Sequence, residues 1–233
     1  MNKNDLKKAF VASIPVMTGY ISLGIGFGIL LESKGYGPAW AFLMSFAVYA
    51  GSLQYVLVDM MAGGVSLVTT ALTSLMVNAR HLFYGISVID KYKGAGWKKP
   101  YMIFGLTDET YSLVFSDEAA RGVKDKHGFY FVLTLMNQCY WVAGSVIGGA
   151  VGTMITFDTT GIDFALTALF ITIFVDQWRA TKNHGPALIG VGASVLCLVI
   201  FGSGNFLIPA MICITCCLLA MKNRWDGSRE EVR

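Results

Sequence analysis

The feature that most constrains this chain is the spacing of its charged residues, which cluster in short blocks. The blocks cover positions 3–8, 91–99, 117–126, 179–184 and 222–233. Apolar stretches of about 20 residues lie between them, the length that an α-helix needs to cross the hydrocarbon core of a bilayer. Charged residues make up only 14% of the chain, against about 25% in soluble domains. Lipid, rather than water, is therefore the solvent that suits most of these side chains.

These stretches predict an all-α fold, a polytopic transmembrane helix bundle that forms a single domain over residues 1–233. We expect about seven to eight membrane segments, each helical because backbone polar groups in lipid must be hydrogen-bonded within their own segment. The predicted segments are 10–31, 38–61, 65–89, 101–116, 128–151, 161–178, 185–201 and 204–221. The fourth is short and polar, so we expect a broken or re-entrant segment near 101–116.

Lysine and arginine predict the topology, because cytoplasmic loops carry an excess of both. If the chain crosses the membrane eight times, both termini and the loops near Arg121 and Arg179 lie in the cytoplasm. The lysines between Lys91 and Lys99 would then lie outside. A segment that enters and returns on the same side would remove this conflict, provided that one of the first three segments is broken as well.

Glycines recur every four residues in two of the predicted segments. The first pair is Gly24 and Gly28, and the second set is Gly144, Gly148 and Gly152. In lipid, small residues at this spacing let two helices approach closely. The pattern indicates helix packing more than function.

Polar residues inside apolar segments are the first candidates for function, since a charge at the bilayer centre costs roughly 2.5–3.5 kcal/mol. The third segment ends with Asn78, Arg80 and His81. A histidine exchanges protons near neutral pH, and an arginine binds a carboxylate through two parallel hydrogen bonds. The alternative is structural: Arg80 either extends to the lipid headgroups or pairs with a buried acid for assembly.

Two adjacent carboxylates, Asp108 and Glu109, lie in the short fourth segment. Either one is a candidate for binding a proton or for holding the Arg80 side chain. If this segment lies outside the membrane, both are solvated loop acids instead.

Two further polar faces are candidates. Gly51 and Gln54 lie in the second segment, where Ala50-Gly51-Ser52 permits a break in the helix. A broken helix exposes backbone groups that bind carboxylates and ammonium groups near the membrane midplane. Asn137 and Trp141 form a comparable face in the fifth segment. Pore lining and helix packing are both open for these two faces.

Several motifs of enzymes and nucleotide-binding proteins are absent from the sequence. It contains no G-x-x-x-x-G-K-[ST] loop, no H-E-x-x-H and no G-x-S-x-G. All five cysteines lie in apolar stretches, where we expect them to pack as small apolar residues. We therefore expect no enzyme activity, no cofactor and no metal.

Taken in order, the polar stretches resemble the AzlC family, the large subunit of bacterial branched-chain amino acid exporters. The similarity extends from Pro15 to Gly152 and more loosely to the end. The matching elements are Pro15 with Gly19, Gly24 and Gly28; Met44-Ser45, Tyr49-Ala50-Gly51 and Gln54; Asn78-x-Arg80-His81 with Tyr84-Gly85; Thr107-Asp108-Glu109; and Tyr140-Trp141 with Gly144.

The resemblance implies a secondary transporter of the bacterial cytoplasmic membrane that exports leucine, isoleucine, valine or similar apolar amino acids. It also implies a partner, a small AzlD-type membrane subunit, because members of the family usually work as two-component complexes.

Without an ATP motor, export needs a gradient, and an inward proton is our hypothesis for it. Asp108 or Glu109 would carry the proton, with His81 as relay. Arg80 would hold the substrate carboxylate or the acid that alternates with it, and the Gly51 region would form part of the binding wall. Two other classes stay open: a channel-like pore for small solutes and, ranked last, a membrane-embedded enzyme that uses His81 and Asp108 as an acid–base pair.

Overall fold

The structure is a computed structural model that describes residues 2–116, 118–154, 164–181, 183–202 and 206–230. Its contacts divide the chain into two compact units, Met1–Thr167 and Ala168–Arg233. All regular secondary structure of the described residues is helical, which confirms the predicted all-α class. The single domain over 1–233 stays a prediction.

The helices of the described residues are α1 (Lys3–Ser33), α2 (Pro38–Ala47), α3 (Gly51–Ala62), α4 (Leu67–Val77), α5 (Ala79–Ser87), α6 (Lys98–Phe104), α7 (Asp108–Ser116), α8 (Lys126–Gly152), α9 (Phe164–Ala180), α10 (Gly185–Phe201) and α11 (Leu207–Glu230). Two of them, α1 and α8, are long and apolar enough to cross a membrane by length and composition. The predicted number of seven to eight membrane segments is therefore not confirmed. The predicted segments 161–178 and 204–221 begin at positions outside the described residues.

The two long helices, α1 and α8, form a parallel pair that supports the first unit. Each begins at a side-chain cap, since Asn2 Oδ1 accepts a hydrogen bond from the backbone of Asp5 and Asp125 Oδ1 accepts one from that of Gly128, both at 2.8 Å. Further along, Ser13 Oγ lies 3.1 Å from Tyr140 Oη. The next contact along α1, from Gly24, is with Ser145, which also lies further along α8. The two helices therefore run in the same direction.

Glycines bring these two backbones together. A Cβ atom on Gly24 would lie 2.9 Å from the backbone nitrogen of Ser145, and one on Gly144 would lie 2.7 Å from the carbonyl oxygen of Ile21. No side chain fits at such distances. The glycine pattern therefore does mark a helix contact, as predicted.

The predicted segment 38–61 is two helices, α2 and α3, which form the first hairpin. The hairpin starts at the C-terminal end of the α1–α8 pair, where Pro38 packs against Gly149. Its tip reaches the middle of α8, where Gln138 Nε2 donates to the carbonyl of Phe46 at 3.1 Å. The hairpin then returns to the same end, where Lys34 Nζ lies 3.6 Å from Asp59 Oδ1. A break in this segment was predicted, and the structure has it over residues 48–50.

The predicted segment 65–89 is also interrupted. Asn78 ends α4 and begins α5, with φ −90° and ψ 2°. Unlike the first hairpin, α4 and α5 lead from the C-terminal end of the long helices to their N-terminal end, where Val88 and Tyr92 pack in one apolar cluster with Ala9 of α1. The prediction of one continuous helix was therefore wrong.

The predicted segment 101–116 is a second hairpin, formed by α6 and α7. Its two ends lie together at the N-terminal end of α8, because Lys91 Nζ donates to the carbonyl of Phe115 at 2.7 Å and His127 Nε2 lies 3.1 Å from the carbonyl of Lys91. Its tip at residues 105–107 reaches Tyr20 of α1. The segment is thus broken into two helices whose outer ends lie at the same end of α8, while a re-entrant path through the membrane stays a prediction.

The second unit contains α10 and α11, which pack on each other, and most of α9. The rings of Trp178 and His184 stack between α9 and α10, with centroids 3.9 Å apart. Cys197 of α10 is buried in this unit.

Candidate functional site

Three broken segments meet at one guanidinium group. Arg80, in the first turn of α5, contacts Asp108 in the first turn of α7 and Ser52 in the first turn of α3. Its Nη1 atom lies 2.8 Å from Asp108 Oδ2, and its Nη2 atom donates to Ser52 Oγ at 2.7 Å. The starts of three half-helices thus converge, and each start carries a partial positive charge from its unpaired N–H groups.

The ion pair is accessible in part and leaves hydrogen-bonding capacity unused. The side chains of Arg80 and Asp108 are 28% and 22% exposed. Within the described residues, three buried atoms around the pair have no hydrogen-bond partner: Arg80 Nε, Asp108 Oδ1 and Asn78 Oδ1. One is a donor and two are acceptors. Such unpaired atoms are unfavourable unless a ligand or water completes them.

Glu109 points to a different set of partners from its neighbour Asp108. Its Oε2 atom lies 2.6 Å from Tyr20 Oη, which in turn lies 2.5 Å from Thr107 Oγ1. Thr107 Oγ1 donates to Thr110 Oγ1 at 3.1 Å, and Asn137 Nδ2 donates to the same Thr110 atom at 3.0 Å. A chain of hydroxyl groups therefore links Glu109 on α7 to α1 and α8.

The tip of the first hairpin contacts α8 through polar and aromatic groups. Trp141 Nε1 donates to Gln54 Oε1 at 2.8 Å, and Gln54 Nε2 donates to Ser45 Oγ at 3.2 Å. Gly51 faces the Trp141 ring so closely that a Cβ there would lie 3.0 Å from it. In this conformation Gly51, Gln54 and Trp141 hold the hairpin against α8.

One residue of α8 contacts both hairpins. Gln138 of α8 donates to the carbonyl of Phe46 at 3.1 Å and accepts a hydrogen bond from Tyr101 Oη at 2.6 Å. Next to it, the buried Tyr49 ring lies 6.2 Å from that of Phe104. Tyr49 has φ +42°, a left-handed conformation that costs a tyrosine roughly 1–3 kcal/mol. Strain of this kind persists where packing fixes the backbone.

A row of aromatic rings follows the ion pair along α5 and α7. The rings of Tyr84 and Tyr111 stack with centroids 4.4 Å apart, and Phe115 continues the row at 5.3 Å from Tyr111. The His81 ring meets Tyr84 edge-on at 5.8 Å. His81 therefore lies against an aromatic ring, whereas the salt-bridge partner of Asp108 is Arg80.

The predicted site residues fall into three groups. Asn78, Arg80 and Asp108 surround the ion pair, with His81 beside it; Glu109 and Asn137 share the hydroxyl chain; and Gly51, Gln54 and Trp141 form the hairpin contact. Sequence reasoning did not single out Tyr20, Ser52 or Gln138 as site residues. Tyr20 gave no signal, because it is one hydroxyl in an apolar glycine-rich segment whose partners are 87 and 89 positions away.

In the part of the chain that the structure describes, no three histidine, cysteine, aspartate or glutamate side chains lie close enough together to hold a metal ion. The groups that the described residues bring together at the site are an ion pair, hydroxyl groups, backbone N–H groups and aromatic rings.

The chain was compared with known proteins. It is 44% identical to a Bacillus subtilis protein named branched-chain amino acid transport protein AzlC, over all of this chain and 93% of that protein. It is 37% identical to a membrane protein of Helicobacter pylori, over 94% of this chain and 96% of that one. Identity to the inner membrane protein YgaZ of Escherichia coli is 28%, over 94% and 91% of the two chains. No solved structure gives a significant match.

The family described as AzlC protein matches residues 15–155. That range contains both hairpins, the Arg80–Asp108 pair and the hydroxyl chain from Glu109 to Asn137. It also agrees with the resemblance found in the order of the polar stretches. The chain belongs to the AzlC protein family.

Proposed function

We propose that this protein is a secondary transporter that exports branched-chain or similar apolar amino acids, driven by the proton gradient, as the large subunit of a two-component exporter. The substrate class is supported by the name of the Bacillus subtilis relative, which is 44% identical to this chain. The observation that carries the proposal is the Arg80–Asp108 pair at the point where three broken segments meet.

The atoms around this pair fit the head group of an amino acid. An amino acid carries a carboxylate, which accepts hydrogen bonds, and an ammonium group, which donates them. Arg80 Nε is an unused donor, whereas Asp108 Oδ1 and Asn78 Oδ1 are unused acceptors. The helix starts of α3, α5 and α7 add N–H groups that favour a carboxylate. We therefore place the substrate carboxylate at Arg80 and the ammonium group at Asp108 and Asn78.

The apolar side chain of the substrate needs an apolar surface next to its head group. The aromatic row of Tyr84, Tyr111 and Phe115 lies beside the ion pair and offers one. Flat rings accept branched aliphatic groups of different shape, so this row suits a class of related amino acids better than one member of it.

Movement against a gradient requires coupling, and the sequence has no ATP-hydrolysing loop. We propose that a proton entering the cell drives one substrate molecule out, with the Asp108–Glu109 pair as the protonated element. His81 as a relay stays a prediction, since Asp108 is joined to Arg80.

We propose a cytoplasmic location for both termini, in the inner membrane of a bacterium. The two hairpins allow this topology without conflict: the loop that carries Lys91 and Lys93 lies at the N-terminal end of α1 and α8, together with Arg121, whose carbonyl accepts a hydrogen bond from Lys8. All these cations then face the cytoplasm, as the positive-inside bias favours. A small AzlD-type subunit is the proposed partner, supported by the family resemblance.

The test is efflux of preloaded, labelled leucine, isoleucine and valine from cells, with and without a candidate AzlD-type partner, and after the proton gradient is collapsed. We expect saturable efflux that depends on the partner and stops with the gradient. Efflux that does not saturate would indicate a channel instead. Absence of efflux for all three, with both proteins inserted, would contradict the proposed substrate class.

A further inference from the structure

The contacts around Glu109 form a row of hydroxyl groups. Glu109 contacts Tyr20, Tyr20 contacts Thr107, and Thr107 contacts Thr110. Each contact needs one hydrogen, and Tyr20, Thr107 and Thr110 each carry one hydroxyl hydrogen that rotates to suit its partners. A charged Glu109 is satisfied when Thr110 donates to Thr107, Thr107 donates to Tyr20, and Tyr20 donates to the carboxylate.

A proton on Glu109 reverses the row, and this is the direction in which Thr107 is the donor to Thr110. Glu109 then donates to Tyr20, Tyr20 donates to Thr107, and Thr107 donates to Thr110. Asn137 Nδ2 completes the row by donating to Thr110 from the other side. Every contact of the row is satisfied in this arrangement, and buried polar groups are rarely left unsatisfied.

The surroundings of Glu109 differ from those of Asp108 in charge. Asp108 has Arg80 at 2.8 Å, whereas no salt bridge of Glu109 is seen among the described residues. The titratable groups that face Glu109 are Tyr20 of α1, Tyr49 between α2 and α3, and Asp108 on its own helix. Asn137, from α8, is neutral. A membrane-embedded carboxylate without a cation is most stable as the neutral acid.

We propose that Glu109, and not Asp108, carries the transported proton, and that the conformation described is the one in which Glu109 is protonated. This inference rests on the proposed transport function and assigns the two adjacent acids separate roles. Asp108 belongs to the amino acid site. Glu109 belongs to the coupling site, one residue further along α7.

Release of the proton changes the direction of the hydrogen bonds in this row. With Glu109 charged, Tyr20 donates to the carboxylate, Thr107 donates to Tyr20, and Thr110 donates to Thr107. The hydroxyl groups of Thr107 and Thr110 therefore reorient at the start of α7, the same helix start that holds Asp108 against Arg80.

The first experiment measures the proton itself. Infrared difference spectra between the wild-type protein and Glu109→Gln, both reconstituted at neutral pH, should show a carboxylic acid C=O band that only the wild type has. Asp108→Asn should keep this band, and so should Asp90→Asn, which changes an exposed loop acid and is the control. A wild-type spectrum without such a band, or a band that remains in Glu109→Gln, would overturn the proposal.

The second experiment separates substrate exchange from coupling. In Glu109→Gln vesicles, exchange of labelled for unlabelled leucine should continue, while gradient-driven efflux falls at least about tenfold and its pH dependence is lost. In Asp108→Asn vesicles, exchange itself should fail. Glu109→Gln that still shows efflux abolished by a protonophore would overturn the assignment. If the wild type neither exchanges nor exports any amino acid, the proposed function fails, and the infrared band still decides whether Glu109 is protonated.

Discussion

Arg80 and Asp108 form an ion pair of 2.8 Å between two helices that belong to different broken segments of the chain. Because Arg80 also binds Ser52, one guanidinium links the starts of α3, α5 and α7. The two hairpins and the α4–α5 segment between them are therefore connected at a single side chain. A ligand that competes for this side chain acts on all three at once.

The first prediction concerns the fork geometry of Arg80. Arg80→Lys keeps the charge, but an ammonium group cannot bind Asp108 and Ser52 in the same planar arrangement. We expect binding of labelled leucine to the purified protein to weaken at least about tenfold. The stability loss should be about 1–2 kcal/mol, less than for a fully buried pair, because 28% and 22% of the two side chains are exposed.

Arg121→Lys is the matched control for this prediction, since Arg121 is an exposed loop residue. It should bind leucine like the wild type. Unchanged binding by Arg80→Lys would mean that the pair serves assembly alone, the structural alternative considered from the sequence.

The second prediction tests the contact between α1 and α8. A methyl group on Gly24 would lie 2.9 Å from the backbone of Ser145, so Gly24→Ala should lower the free energy of unfolding by about 1–3 kcal/mol. Gly19→Ala, in the same helix, meets nothing within 4 Å. It should be neutral or slightly stabilising, because alanine favours a helix over glycine by up to about 1 kcal/mol. Thermal unfolding in detergent measures both, and equal effects would contradict the close contact.

The third prediction concerns the re-entrant geometry. In a cysteine-free background, Lys93→Cys should be labelled by a membrane-impermeant maleimide only after the cells are opened, because the proposed topology puts the loop before the second hairpin on the cytoplasmic side. Val65→Cys, after the first hairpin, should be labelled on intact cells. Both positions are exposed. Labelling of Lys93→Cys from outside would show that 98–116 crosses the membrane instead of returning.

The fourth prediction concerns the cap at the start of α8. The hydrogen bond from the backbone N–H of Gly128 lowers the pKa of Asp125, since it stabilises the charged carboxylate. The contribution of this charge is therefore fully present above the unfolded pKa of about 3.9 and is lost as the pH falls through the lower folded value. Asp125→Ala should cost about 1 kcal/mol at pH 7.

Asp125→Asn supplies the comparison, because asparagine caps a helix without a charge. The stability difference between wild type and Asp125→Asn should shrink as the pH is lowered through the acidic range. Thermal unfolding at several pH values measures it, and a difference that grows toward low pH would contradict the assigned direction.

The sequence predicted the helical class, the glycine contact and the breaks in segments 38–61 and 101–116, because each has a local cause. Charge blocks, four-residue glycine spacing and the break near Ala50 are visible in the order of the residues. The exact position of that break is not visible in the order of the residues. Tyr49 has a strained φ and packs against Phe104, which lies far away in the chain.

Other parts of the site depend on contacts with no local signal. The interruption at Asn78 follows a stretch without charged residues, glycine or proline, so the sequence favoured one helix there. The pairing of Asp108 with Arg80 was open beside other possibilities, since spacing along the chain cannot show which of two adjacent acids faces a third helix. Tyr20 could be assigned only once the fold placed it beside Glu109.

The two hairpins also constrain the order in which this protein can be assembled. Helix α2 has 10 residues, about 15 Å at 1.5 Å per residue, or half of a hydrocarbon core of about 30 Å. Its end and the start of α3 leave backbone groups unpaired within the bilayer, where lipid cannot satisfy them. The residues that hold this tip, Gln138 and Trp141, are on α8. The first hairpin is synthesised early, but its tip acquires these hydrogen-bond partners only after α8 has been synthesised, so we expect residues 38–62 to pack later than their place in the chain implies.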